Sequence, residues 1–273
     1  MNFGLFILVL FGDALASSDQ KLLLNCNQTY VYDAFGNPVY QELQTKPVCS
    51  IKETSIICSQ NPRTGTDSSI VEKVNEQSNI TCMAQDEVDG TIYYYTNRTY
   101  KYLNSGGSSG DLENISELQD PEDMTVDAYQ KILFISLKTH SPKIVKYNIL
   151  MKNWSVVTDE NIKWPKSLAH DHENRKVFWV DAKLRRINNC SYDGHCETVL
   201  KNHQNLSSPS SLAIENNTLY WLDTDLSEVL SCQADHCNDT FKKLFSVDKT
   251  CKELKILHEG IEDLHRLHNS EMG

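Results

Sequence analysis

Two recurring sets of carboxylates carry most of the chemistry this chain could offer. Asp86, Asp127, Asp171 and Glu215 each close a short β-prone run. Oxygen ligands of this kind could hold calcium if the four runs converge. Asp181 and Asp223 each end an aromatic run, and such a pair could divide acid and base work between them. Regular recurrence favours a structural use of both sets, because repeats reuse positions whereas a working site breaks the symmetry. His195 and His236 each precede a cysteine, but the pairs Cys190/Cys196 and Cys232/Cys237 lack the CxxC spacing of zinc sites. His258, His265 and His268 lie in a terminal stretch with no carboxylate–histidine signature. No Ser-His-Asp, Cys-His or His-Glu-x-x-His arrangement is spelled. We therefore assign no catalytic residue, no metal ligand and no cofactor.

The elements that would position these residues repeat. Pro121, Pro165 and Pro209 stand 44 residues apart, twice, and open the stretches Pro-Glu-Asp-Met-Thr-Val-Asp, Pro-Lys-Ser-Leu-Ala-His-Asp and Pro-Ser-Ser-Leu-Ala-Ile-Glu. An aromatic run follows each: Ile132-Leu133-Phe134-Ile135, Val177-Phe178-Trp179-Val180-Asp181 and Leu219-Tyr220-Trp221-Leu222-Asp223. Weaker copies precede them, at Ile92-Tyr93-Tyr94-Tyr95, Ser55-Ile56-Ile57-Cys58 and Leu22-Leu23-Leu24. The six runs begin at residues 22, 55, 92, 132, 177 and 219, a period that marks a repeat architecture. Each unit adds a turn rich in Asp, Asn, Glu or Gly, an alternating third strand such as Lys143–Asn148, and a short outer strand such as Glu197–Leu200. Four short antiparallel strands in about 40 residues make one propeller blade. The fold expected is all-β: a six-bladed β-propeller of four-stranded antiparallel blades. Only Lys252–His268 shows helical spacing, and residues 104–120, Gly/Ser-rich and then acidic, read as an exposed flexible loop.

The 40% hydrophobic content supports a packed core. The net charge of −11 argues against nucleic acid and anionic membrane partners. Residues 2–12 are apolar and Ala14-Leu15-Ala16 fits a cleavage site, so residues 1–16 read as a signal peptide. No later stretch is long enough to span a bilayer. Nine Asn-x-Ser/Thr sequons, at Asn27, Asn79, Asn97, Asn114, Asn153, Asn189, Asn205, Asn216 and Asn238, suit a secreted glycoprotein. The propeller is expected over residues 17–260, with a tail over 261–273. Cys190–Cys196 and Cys232–Cys237 would staple the outer hairpins of two blades, and Cys49–Cys58 a first hairpin.

Tyr220-Trp221-Leu222-Asp223 and Phe178-Trp179-Val180-Asp181, with Tyr94-Tyr95-Thr96-Asn97 as a weaker copy, resemble the Tyr-Trp-Thr-Asp tetrad of the low-density lipoprotein receptor class B repeat. Arg186-Ile187 to Asp193-Gly194 is similar to that family's Ile…Asp-Gly turn, and the Pro-x-x-Leu-Ala stretches match its first blade strand. Six such repeats close a propeller in that family. The resemblance implies that Asp181 and Asp223 are structural and hydrogen-bonded between blades. It also implies that Leu22–Asn25 and Glu253–His258 begin and end the ring. Ring closure would bring Cys26 to Cys251, leaving Cys82 over.

The function expected from this reading is a secreted, glycosylated, non-enzymatic module that binds an extracellular protein. A calcium-dependent propeller hydrolase, using Asp86, Asp127, Asp171 and Glu215, and a carrier of a small ligand at the channel mouth are the alternatives.

Overall fold

The computed structural model describes the strands Phe6–Leu10, Gln20–Asn25, Thr29–Tyr32, Val48–Lys52, Ser55–Ser59 and Ser68–Lys73, and then residues 80–201, 206–249, 251 and 253–257. The strands fall into six sheets arranged as a β-propeller. The first joins β1 (Phe6–Leu10), β2 (Gln20–Asn25) and β3 (Thr29–Tyr32) to the last strand of the chain. The second holds β4 (Val48–Lys52), β5 (Ser55–Ser59) and β6 (Ser68–Lys73). The third holds β7 (Ile80–Gln85), β8 (Ile92–Thr96), β9 (Thr99–Leu103) and β10 (Ser109–Asp111). The fourth is β11 (Pro121–Asp127), β12 (Ile132–Leu137), β13 (Lys143–Asn148) and β14 (Asn153–Thr158). The fifth is β15 (Pro165–Asp171), β16 (Lys176–Asp181), β17 (Arg186–Ser191) and β18 (Cys196–Lys201). The sixth is β19 (Pro209–Glu215), β20 (Thr218–Asp223), β21 (Glu228–Gln233) and β22 (Lys242–Ser246), with the short helix α1 (Cys237–Thr240) before its outer strand. β23 (Glu253–Leu257) lies beside β19 and pairs antiparallel with β2, Lys21 facing Leu257.

All six runs singled out by their period are the second strand of a sheet: β2, β5, β8, β12, β16 and β20. Alternation along them explains why the aromatic ones read as continuous apolar runs. Successive side chains leave a strand on opposite faces, and both faces of a blade are covered. Phe178 packs with Trp221 between the fifth and sixth sheets, while Trp179 packs with Phe134 between the fourth and fifth. Tyr220, next to Trp221, faces the other way, toward Cys251 and Leu254. Tyr94, Phe134, Phe178, Trp179 and Trp221 are all buried.

The connections obey local chemistry. Asn97 and Arg98, and again Asn216 and Asn217, are two-residue hairpin turns with φ of 49°, 62°, 47° and 61°. Such turns need the left-handed region at both positions, which Asn tolerates better than most residues. Cys190–Cys196 and Cys232–Cys237 are disulfide-bonded, each near an outer hairpin end.

Two expectations are corrected. Residues 253–257 form the strand β23, not helix, because Leu254 packs into the layer beside the sixth sheet; residues 258–273 lie outside the described set. The Gly/Ser-rich segment is not loop throughout: Ser109–Asp111 pairs with β9 as the outer strand, after a turn at Gly107 with φ of 83°. Phe6–Leu10, within the expected leader, pairs antiparallel with β2 and parallel with β3. The pairs of β2 with β3 and β23 do not pass through it. Cys49 and Cys58 are cross-strand neighbours on β4 and β5; their side chains, and that of Cys26, lie outside the described residues. Cys251 is buried and disulfide-bonded. Cys82 is free and buried.

Trp221 has no solvent exposure, so Trp221→Ala removes the largest single contribution to one inter-blade layer. We expect a loss of about 3–5 kcal/mol, read by urea unfolding. Replacing Cys232 and Cys237 together by Ala opens a short loop and should cost about 2 kcal/mol on the chain-entropy model, in the same assay.

Candidate functional site: the central channel

The inner strands β7, β11, β15, β19 and β23 surround a cavity of about 1610 Å³. They run in the same direction, because equivalent positions meet at a constant offset: Thr125 with His170, Asp127 with His172 and Asp123 with Leu168 are all 45 residues apart. It follows that the turns joining first to second strands, and third to fourth, share one face. Each inner strand β7, β11, β15 and β19 is irregular just after its first residue, with the register shifting between Ile80/Cys82, Pro121/Asp123, Pro165/Leu168 and Pro209/Ser211. Such bulges re-aim a side chain.

Here the re-aimed side chains join the blades. Asp123 Oδ2 accepts the Leu168 N–H at 2.8 Å, Ser167 Oγ accepts the Leu212 N–H at 3.1 Å, and Ser211 Oγ accepts the Leu254 N–H at 2.9 Å. The equivalent residue one blade earlier is Cys82, whose thiol is a poor acceptor. The Met124 N–H, which that position would serve, is bonded instead by Asp123 Oδ1 at 2.8 Å. The two N–H donors favour a charged carboxylate, but loss of solvent outweighs them and pushes Asp123 up to about 7. These linking residues were not singled out in the sequence. The signal was present: Asp, Ser and Ser stand two places after the three periodic prolines.

Three of the four strand-end acids, Asp86, Asp127 and Asp171, hold the turn that follows them. Asp86 Oδ1 accepts the N–H groups of Val88 and Asp89, Asp127 Oδ1 those of Tyr129 and Gln130, and Asp171 Oδ1 that of Asn174. Two also tie neighbouring blades. Lys131 Nζ donates to Asp86 at 2.7 Å and to Asp89 at 2.8 Å. His172 Nδ1 lies 3.1 Å from both oxygens of Asp127, and Tyr192 donates to Asp127 at 2.8 Å. Burial opposes the charge on Asp127, but the Gln130 N–H, His172 and Tyr192 outweigh it and hold its carboxyl below the usual range. His170, half-buried, is pushed down by desolvation and held by Thr125 Oγ1 at 2.9 Å. Among the described residues, no group of three or more His, Cys, Asp or Glu is placed to hold a metal ion.

Asp181 and Asp223 are buried, with a geometry that differs from the inter-blade bond the resemblance implies. Asp181 accepts the N–H groups of Lys163, Trp164 and Leu184; Asp223 accepts those of Ser207, Ser208 and Leu226. Each carboxylate ties the connector entering its blade to that blade's own second turn. Three backbone donors on each buried carboxylate fit a structural role.

The sequons divide. Asn97, Asn114, Asn153, Asn216 and Asn238 are exposed. Asn189 is 4% exposed on β17, between Phe178 and Glu197 in register, so it is not a surface acceptor. Asn27, Asn79 and Asn205 lie outside the described residues.

The channel mouth is strongly acidic. Nine carboxylates line the cavity against the lysines Lys166 and Lys255, and six of the nine, Asp86, Glu87, Asp89, Asp171, Glu173 and Glu215, lie at the strand ends and turns on the side of Val88 and Tyr129. Val88 and Tyr129 line it too, and are 54% and 66% exposed. Tyr129 rests on the His172 ring, centroids 4.5 Å apart, so an exposed aromatic is held in one place by the ring whose other contact is Asp127.

No protein-family model matches the chain. It is 31% identical over 81 residues to a vitellogenin receptor of Solenopsis invicta, a match covering 30% of this chain and 4% of that protein. It is 24% identical over 142 residues to the vitellogenin receptor Yl of Drosophila melanogaster, covering 52% and 7%. The chain thus spans a small fraction of the curated relatives it matches. In fold it is similar to a streptogramin B lyase, with a TM-score of 0.57 at 9% identity over 93% of this chain and 86% of the other. The repeat is similar to the low-density lipoprotein receptor class B repeat, in a divergent form.

Two outcomes test this geometry. Asp223→Ala strands three buried N–H groups and should cost roughly 3 kcal/mol, measured by urea unfolding. Asp123 behaves oppositely to an ordinary ion-paired acid. Its raised pKa means that the fold favours the protonated form, so its contribution is whole at acid pH and is lost as pH rises through about 7. Asn resembles the protonated carboxyl and does not titrate, so the stability of wild type relative to Asp123→Asn should fall as pH rises from the ordinary carboxylate range to about 7; a relative stability that rises over that range would contradict the account.

Proposed function

We propose that this chain, a six-bladed propeller with divergent class B repeats of the low-density lipoprotein receptor type, is a non-enzymatic extracellular module that binds a basic segment of a partner protein at the channel mouth. The observation that carries the reading is the combination at that mouth: a concentration of carboxylates around two exposed apolar side chains, Val88 and Tyr129. An acidic concavity steers and holds cations, and an exposed aromatic fixed by stacking is the type of anchor that dominates protein interfaces. The vitellogenin receptors are receptors by name, and the proposal carries the binding role, not their ligand, to this chain. The lyase likeness extends to the fold alone, and folds of this kind do not fix an activity.

Secretion and glycosylation belong to the same proposal. Residues 1–16 act as the leader, and the exposed sequons carry the sugars. Sugars on Asn153 and Asn216 would crowd parts of the same face, whereas neither Val88 nor Tyr129 is in a sequon.

The test places a photoreactive side chain at Gln130, exposed beside Tyr129, in the secreted protein, and in a second preparation at Lys183, exposed on the opposite face. We expect one extracellular protein to be captured from position 130 and not from 183. Its capture should fall with added salt, and Tyr129→Ala should weaken its binding about tenfold or more. Equal capture from both faces, or binding indifferent to salt and to Tyr129→Ala, would refute the reading.

A further inference from the structure

The face opposite the channel mouth carries the turns from second to third strands and the connectors between blades. Its charge is uneven. Over the fourth and fifth blades, segments 138–143, 159–164 and 182–186 hold six Lys or Arg and two acids. On either side the sign reverses. Segments 97–99 and 112–120 together hold one cation and three acids, and so do 206–208, 224–228 and 247–249. The net charge of −11 therefore conceals a cationic sector.

Contacts draw its segments into one surface. Asp181 accepts the N–H groups of Lys163, Trp164 and Leu184, so the connector lies against the turn that carries Lys183 and Arg185. Lys138 Nζ stands 3.4 Å from the centroid of the Trp164 ring, which brings in the turn of the fourth blade. Arg186 donates to the Asn161 carbonyl. Lys201 adds a further cation as the direct cross-strand partner of Arg186. Like charges placed directly opposite destabilise a sheet, so stability does not account for this pair. Lys138, Lys163, Lys183, Arg185 and Lys201 are exposed, and Lys163 and Lys183 have no ion-pair partner among the described residues. The acids beside them are Glu122, 3.9 Å from Lys138, and the exposed Asp120, Asp159 and Glu160.

What the surface lacks selects its occupant. Protein interfaces are dominated by well-packed anchors such as aromatic side chains. The exposed large hydrophobic side chains of the described residues are Val88, Tyr129, Leu150, Met151 and Val156. The first four stand in turns of the opposite face, and Val156 is on the outer strand β14. Trp164 is half-buried beneath Lys138. Long flexible cations without an exposed apolar anchor suit a ligand that is itself a chain of anions, held by charge. We infer that the fourth- and fifth-blade sector of this face binds a sulfated polysaccharide through Lys138, Lys163, Lys183, Arg185 and Lys201. The choice of a sulfated glycan over nucleic acid rests on the extracellular reading above. The surface shares no side chain with the channel mouth, and either can fail alone. Asn97, the exposed sequon in a turn of this face, lies on the third blade and leaves the sector uncovered.

The experiment titrates the secreted chain by calorimetry, over a range of salt, with a heparin octasaccharide, its desulfated and N-acetylated counterpart, and a single-stranded DNA of similar charge. We expect saturable binding of the octasaccharide that weakens with salt, and none of the desulfated form. Replacing Lys163 and Lys183 together by Ser should weaken binding about tenfold or more and lower the slope of log affinity against log salt by about two. Neither side chain is bonded among the described residues, so the variant keeps its fold. Lys176→Ser with Lys242→Ser removes the same charge where β16 and β22 open, on the mouth side, and should leave affinity and slope unchanged. No binding of the octasaccharide, equal binding of the desulfated form, tighter binding of the DNA, or an equal loss in both double variants would overturn the assignment. None of these results alters capture at position 130, so the channel-mouth reading stands or falls by its own test.

Discussion

One hydrogen bond, used three times, holds the described part of this ring in register. A side chain re-aimed by a bulge near the start of an inner strand accepts the N–H of the next inner strand: Asp123 from Leu168, Ser167 from Leu212, Ser211 from Leu254. Apolar layers between blades supply most of the burial, but they are non-directional. Tyr220 and Trp221 would pack nearly as well with a blade displaced along its axis. The N–H bonds would not survive such a slip. They set the strand offset, and with it the meeting of Asp127 with His172 and of Asp86 with Lys131 at the channel mouth.

The third of these bonds matters most, because it reaches β23 across the end of the chain. Ser211 both accepts from the Leu254 N–H and donates to the Leu254 carbonyl. β23 in turn pairs with β2. The last strand thus completes the first sheet, and no blade needs to be stable by itself. The acidic mouth depends on this closure. Carboxylates as dense as these repel one another; Lys131 offsets this for Asp86 and Asp89, and the contacts that close the ring hold the rest in place.

The sequence revealed the architecture because propeller packing leaves a periodic trace. Phe178-Trp179 and Tyr220-Trp221 are buried on both faces, so their strands lack polar alternation and stand out as aromatic runs. What stayed hidden was of two kinds. Asp123, Ser167 and Ser211 are ordinary polar residues whose role depends on a bulge, and a bulge has no signature in residue type. Asn189 was hidden by ambiguity: Asn189-Cys190-Ser191 reads as a sugar acceptor, yet its place opposite Phe178 turns it inward. The resemblance implied structural aspartates at 181 and 223 without naming their donors; the N–H groups that they accept belong in part to connectors that the motif does not include. Helical spacing at Lys252–His268 misled for a related reason: the pattern of Leu254 suits either period over so short a span, and tertiary packing decides.

Native-state hydrogen exchange at the Leu254 amide tests ring closure most directly. The account predicts that Leu254 exchanges about as slowly as Leu168 and Leu212, and that Ser211→Ala accelerates Leu254 while leaving Leu168 protected. Rapid exchange at Leu254 in the unaltered protein, at the rate of an exposed loop, would mean that the last strand is not docked and that the described strands do not form a closed ring.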